Sequence, residues 1–135
     1  MNKTVLAIAL ISSIIGSANT GFSASPVKME VLFMNHGPLR PTIEQIRQVV
    51  AGYGEKVAAS WYDFESREGE AFMASKGIRQ HIPLMLWLDG KTVVPVDGKD
   101  VQFAGFPSGS GPMPFQGKWT MDDLRKALDA LTGKK

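Results

Sequence analysis

Residues 27–40 read VKMEVLFMNHGPLR. Val27 to Met34 is mostly apolar, interrupted by Lys28 and Glu30, and reads as a buried strand. Asn35-His36-Gly37-Pro38 is turn chemistry. A proline fits the first turn of a helix, where its missing N–H had no partner to lose. A helix therefore starts between Pro38 and Pro41. Ile43, Ile46, Val49, Val50 and Tyr53 give it one apolar face at 3.6-residue spacing, and Gly52 and Gly54 stop it. Outward from there, Val57 to Phe64 is a second strand, and Ser66 caps a short helix that runs to Lys76 and closes at Gly77. Pro83 to Leu88 is a dense apolar run, read as a central strand. Asp89-Gly90 is a two-residue hairpin signal leading into a strand from Lys91 to Val96. Asp97-Gly98 marks another turn, and Val101 to Phe106 a further strand. Pro107 to Gly117 is a loop of Gly, Pro and Ser. Thr120 with Asp123 three residues on makes a capping-box pattern. The helix it opens carries Leu124, Leu128 and Leu131 on one side and ends at Gly133.

The fold class is therefore α/β. Strand, helix and strand in succession imply a parallel pair joined by a helical crossover, and the later hairpin adds antiparallel strands. A mixed central sheet with helices on both faces follows.

The first residues belong to a different category. Met1-Asn2-Lys3 gives a positive start, Val5 to Ile15 is almost wholly apolar, and Gly16-Ser17-Ala18 supplies small residues. That is the three-part pattern of a secretory signal peptide. Its core is shorter than the ~20 residues of a permanent span. Cleavage is expected after Ala18 or as late as Ala24, so residues 1–18 are signal and 19–26 a short linker. Residues 27–135 then form one domain, exported from the cytoplasm, as into a bacterial periplasm.

Formal net charge is +2, and the 15 lysines and arginines are scattered rather than clustered. A nucleic-acid partner needs a concentrated basic face, so none is expected. No second apolar run could span a membrane. The chain has no cysteine. Thiol nucleophiles, thiolate metal sites and disulfide exchange are thereby excluded.

The element order resembles the thioredoxin fold. Family members carry Cys-Gly-Pro-Cys after the first core strand, followed by a basic residue. Here His36-Gly37-Pro38-Leu39-Arg40 stands at that place, with His36 and Leu39 where the cysteines would be. Glu30, six residues before His36, matches the family's buried acid. Gly77-Ile78-Arg79-Gln80-His81-Ile82-Pro83-Leu84 resembles the segment leading into the family's cis-proline, with one extra residue. Leu86-Trp87-Leu88-Asp89-Gly90-Lys91 matches the strand and turn beyond. The family's proline inside the first helix is missing near Glu44. The resemblance implies a three-layer sandwich, a cis Ile82–Pro83 bond, and His36 and His81 at one end of the molecule. It also implies a redox-inactive binding module. A groove between His36, Gly37, Pro38, Leu39 and Arg40 on one side and Gln80, His81, Ile82 and Pro83 on the other would hold an extended segment of an exported partner by strand addition.

Four readings of the residues stand beside it. His36 and His81 are the only histidines, and two imidazoles with a methionine thioether (Met34 or Met113) suit copper. His36 alone could act as an acid or base in a cysteine-independent enzyme. Otherwise no cofactor is expected. Glu30, on a strand covered on both faces, is either a desolvated functional acid or a structural carboxylate paired with Lys28 or Arg79. Phe106, Met113, Phe115 and Trp119 either extend the binding surface or tuck beneath their loop as a satellite core.

Overall fold

The computed structural model describes residues 25–134. The proposed signal segment and most of the linker lie outside the described residues. The chain forms strand β1 (Val27–Phe33), helix α1 (Arg40–Ala51), β2 (Val57–Asp63), α2 (Arg67–Ser75), β3 (Leu84–Leu88), β4 (Val93–Val96), β5 (Lys99–Gln102) and α3 (Met121–Thr132). It is a mixed α/β structure. No helix among the described residues is long and apolar enough to cross a membrane.

β1 lies between β2 and β3, parallel to the first and antiparallel to the second. The pleat sends alternate residues to opposite sides. Met29 and Val31 join a cluster with Ile43 and Ile46 of α1 and Leu124 and Leu128 of α3. Leu32, next to Val31 and on the opposite side of the strand, packs instead with Phe72 of α2 and Trp87 of β3. One strand thus supplies both apolar clusters, which is why its sequence is almost continuously hydrophobic.

The helix ends follow from local chemistry. The Ser66 hydroxyl accepts from the Gly69 N–H at 2.9 Å. The Thr120 hydroxyl accepts from the Asp123 N–H while the Asp123 carboxylate accepts from the Thr120 N–H, completing the capping box. Gly133 closes α3 at φ 69°, a left-handed position where a side chain is strained.

Two sequence expectations require correction. The strand expected at 101–106 divides its pairing. β5 pairs with β4 through the Asp97-Gly98 turn, whose φ values of 50° and 76° suit a tight two-residue hairpin. The chain then crosses to β3, where the Leu86 N–H donates to the Phe103 C=O and the Gly105 N–H to the Leu84 C=O. That segment takes the edge of β3 that the Asp89-Gly90 turn was expected to offer to β4, so this turn closes on a single Leu88–Lys91 bridge. Second, no peptide bond among the described residues is cis, so Ile82–Pro83 is trans. The chain reverses instead through a three-residue turn in which the Ile82 N–H donates to the Gln80 C=O at 3.1 Å. The Pro83 C=O then accepts from the Met34 N–H at 3.0 Å, tying this segment to the end of β1.

Tyr53 joins α1 to α3. Its hydroxyl donates to the Asp129 carboxylate (2.7 Å) and lies 3.0 Å from the Arg125 C=O. Burial first, and then the hydrogen bond to Asp129, push its pKa up to about 12. The unfolded chain loses this proton near pH 10 and the folded one two units later, so the neutral phenol's contribution is complete below pH 10. Between pH 10 and 12 the protein is expected to lose about 2 kcal/mol relative to its own Tyr53→Phe variant. Urea unfolding of both proteins across that range checks it; parallel pH profiles would refute it.

Candidate functional site

The turn at Asn35–Leu39 forms because Pro38 presets a helical φ and the Leu39 N–H bonds back to the His36 C=O at 3.0 Å. Leu39 is driven fully inward, at 1% exposure, and this anchors the turn on the core. His36, Gly37 and Pro38 are left exposed at the end of β1. The His81–Pro83 segment is brought alongside by the Met34–Pro83 hydrogen bond.

Between these two segments opens a cavity of about 160 Å³. From the first side it is lined by Met34, His36, Pro38 and Leu39, and from the second by His81 and Pro83. Phe106, Pro112 and Phe115 close it from the long loop. Its wall is apolar and it opens to solvent. His36 and His81 therefore share one end of the molecule, as expected from the sequence. Gln80 and Ile82 line a separate depression of about 230 Å³ with Ile78 and Arg79. Gly37 and Arg40 line neither.

The imidazoles have individual neighbours. His36 Nε2 is 3.5 Å from the Glu65 carboxylate, and both side chains are exposed. The His81 ring meets Phe64 edge-on at 4.7 Å. Among the described residues no three of His, Asp and Glu converge on a common point for a metal ion.

Glu30 is not part of the cavity. It is 4% exposed and held by Lys76 at 3.1 Å and Lys28 at 3.6 Å. Of the pairings expected for it, Lys28 is present, and Lys76 takes the place expected of Arg79. No buried side-chain oxygen or nitrogen among the described residues is left without a partner.

The loop aromatics divide between the two roles expected of them. Trp119 (0% exposed) and Phe106 (5%) belong to the core. Met113 (80%) and Phe115 (49%) are exposed. Three glycines permit this arrangement by admitting close approaches. A Cβ on Gly117 would lie 2.0 Å from the Ala104 C=O and one on Gly105 2.6 Å from the Phe115 C=O, while one on Gly111 would meet the Phe106 ring at 2.4 Å. The loop can therefore fold back over the cavity, with the Phe106 and Phe115 main chains hydrogen-bonded at 2.8 Å. Pro112 is the lining residue the sequence reading missed, and the dense Gly/Pro spacing of 105–117 was its signal.

No family model matches the chain, and the searches of curated proteins and of solved structures return no match.

Proposed function

We propose that this is an exported, thioredoxin-like, non-catalytic binding module that captures an extended segment of another exported protein at the cavity beneath His36 and His81. The observation that carries this reading is the apolar cavity itself, open to solvent and walled by Met34, Leu39, Pro83 and the exposed Phe115. Concave apolar sites with a few polar groups at hand are the usual form of a recognition pocket. Two imidazoles and the nearby Glu65 carboxylate offer hydrogen bonds to a bound main chain. The three-layer arrangement of the family is supported by the two apolar clusters on alternate residues of β1. With Ile82–Pro83 trans, affinity comes from an apolar side chain of the partner entering the cavity, more than from main-chain bonds at the proline.

The test is capture from the extracytoplasmic fraction, followed by titration of the captured partner against variants. Phe115→Ala and Pro83→Ala are each expected to weaken binding about tenfold, the ratio set by ~1.4 kcal/mol at an interface anchor. His36→Ala is expected to weaken it less than threefold. Loss of capture in His36→Ala alone, with Phe115→Ala unaffected, would replace this reading with one centred on the imidazole.

A further inference from the structure

The outer edge of β2 is a second surface, independent of the cavity. Among the described residues β2 pairs only with β1. The Phe64 N–H donates to the Phe33 C=O at 2.8 Å. Main-chain groups alternate in direction along a strand, so the even-numbered residues of β2 turn theirs toward β1. The odd-numbered ones, Val57, Ala59, Trp61 and Asp63, turn theirs outward. Among the described residues, nothing hydrogen-bonds to the outward groups of Ala59 and Trp61.

Exposed edges are ordinarily blunted by lysine, proline, a bulge or a very short strand. This edge has none of these. It runs seven residues, VAASWYD, in unbroken register with β1, and its only charge is Asp63 at the end. Ala58 and Ser60 are exposed, and Trp61 and Tyr62 are only partly covered.

We propose that β2 pairs antiparallel with β2 of a second copy, with Ser60 on the two-fold axis, so that two sheets join as one. The strand is self-complementary about Ser60. Ala59 faces Trp61 of the other copy, Ala58 faces Tyr62, and Val57 faces Asp63. A small residue thus meets a large one at each aromatic, and no like charges oppose. Ala59 and Trp61, the outward-facing pair, exchange both main-chain hydrogen bonds across the seam. Moving the axis by one residue to either side would oppose Trp61 to Trp61 or Ala59 to Ala59 and leave strand ends unpaired. The aromatics are already braced for the role: Arg47 lies 4.0 Å over the Trp61 ring, and Tyr62 stacks on Phe72 at 4.0 Å.

A chain without cysteine makes the test direct. At the axis, Ser60 and its copy form a non-hydrogen-bonded pair with Cα atoms about 4.5 Å apart, within disulfide range. Under mild oxidation Ser60→Cys is expected to cross-link to a covalent dimer almost completely. Ala58→Cys, which faces Tyr62 rather than itself, is expected to remain at least tenfold less cross-linked. Wild-type mature protein is expected to sediment at twice the monomer mass, and Ser60→Lys, with two ammonium groups opposed, at the monomer mass with an unchanged circular dichroism spectrum. A monomeric wild type, or equal cross-linking at positions 58 and 60, would overturn the proposal.

Discussion

Trp119→Ala is expected to cost about 3–5 kcal/mol, the range for truncating a fully buried large aromatic. The indole is 0% exposed. It meets the Phe103 ring edge-on at 5.5 Å, and its Nε1–H donates to the Gly105 C=O at 3.0 Å. Its own C=O accepts from the Ser108 N–H at 2.7 Å, a main-chain bond the substitution leaves in place. The loss is therefore a cavity plus one unsatisfied buried carbonyl. Trp119→Phe separates the two terms. It retains most of the volume but not the donor, and is expected to cost about 1–3 kcal/mol. Urea unfolding followed by far-ultraviolet circular dichroism measures both, and the slope should stay constant if the denatured state is unchanged. The effect reaches the proposed binding surface, because Trp119 fastens the far end of the loop that carries Pro112 and Phe115 over the cavity. Partner binding should weaken in Trp119→Ala even below its unfolding transition. A loss under 1 kcal/mol would mean that the loop is held by its main-chain bonds alone.

What the sequence disclosed and what it concealed divide by range. Most features governed by neighbours within four residues were legible, among them the Ser66 cap, the Thr120–Asp123 capping box, the Asp97-Gly98 turn and the stop at Gly133; the Gln80–Ile82 turn is the exception. The near-continuous apolar run of β1 also placed it between two packed faces. Features that depend on a choice among distant partners were not legible. Whether residues 103–105 join β4 or β3 is decided by which edge is open once the sheet assembles. The trans bond at Pro83 goes with a turn at Gln80–Ile82 and with the Met34–Pro83 hydrogen bond to the distant end of β1. Of the two partners expected for Glu30, Lys28 is present and Arg79 is not, since Gly77 at φ 68° breaks the helical path between positions 76 and 79. From this end of α2, Lys76 rather than Arg79 reaches the carboxylate. The cavity was half legible: the resemblance implied that His36 and Pro83 lie side by side, but the aromatic wall comes from a loop whose path is set by close approaches at Gly105, Gly111 and Gly117.

Lys76→Ala is expected to be the second most damaging of these substitutions, at about 2–3 kcal/mol, below the 3–5 typical of breaking a fully buried ion pair. Lys76 is 26% exposed at its side chain, so water can partly replace its ammonium. The Glu30 side chain is only 5% exposed and cannot move out to follow. Lys28 would remain at 3.6 Å, but its side chain is 66% exposed and solvent screens it. Lys28→Ala should accordingly cost no more than about 0.5 kcal/mol. The Lys76 ammonium also sits 5.3 Å from the Phe72 ring and 5.4 Å from Trp87, contacts that vanish with it. The damage arises chiefly from the stranded carboxylate rather than from a strongly favourable pair. Glu30→Leu with Lys76→Met removes both charges and keeps the volume. It is expected to return within about 1 kcal/mol of the wild type. Denaturant unfolding of the two lysine variants and the double variant at neutral pH decides the matter. A double variant as unstable as Lys76→Ala would show that Glu30 contributes net stabilisation on this face of β1, and the structural-carboxylate reading would then need a stronger partner than Lys76. A double variant of native stability that also keeps partner binding would make Glu30 a packing solution, independent of the cavity at the other end of the strand.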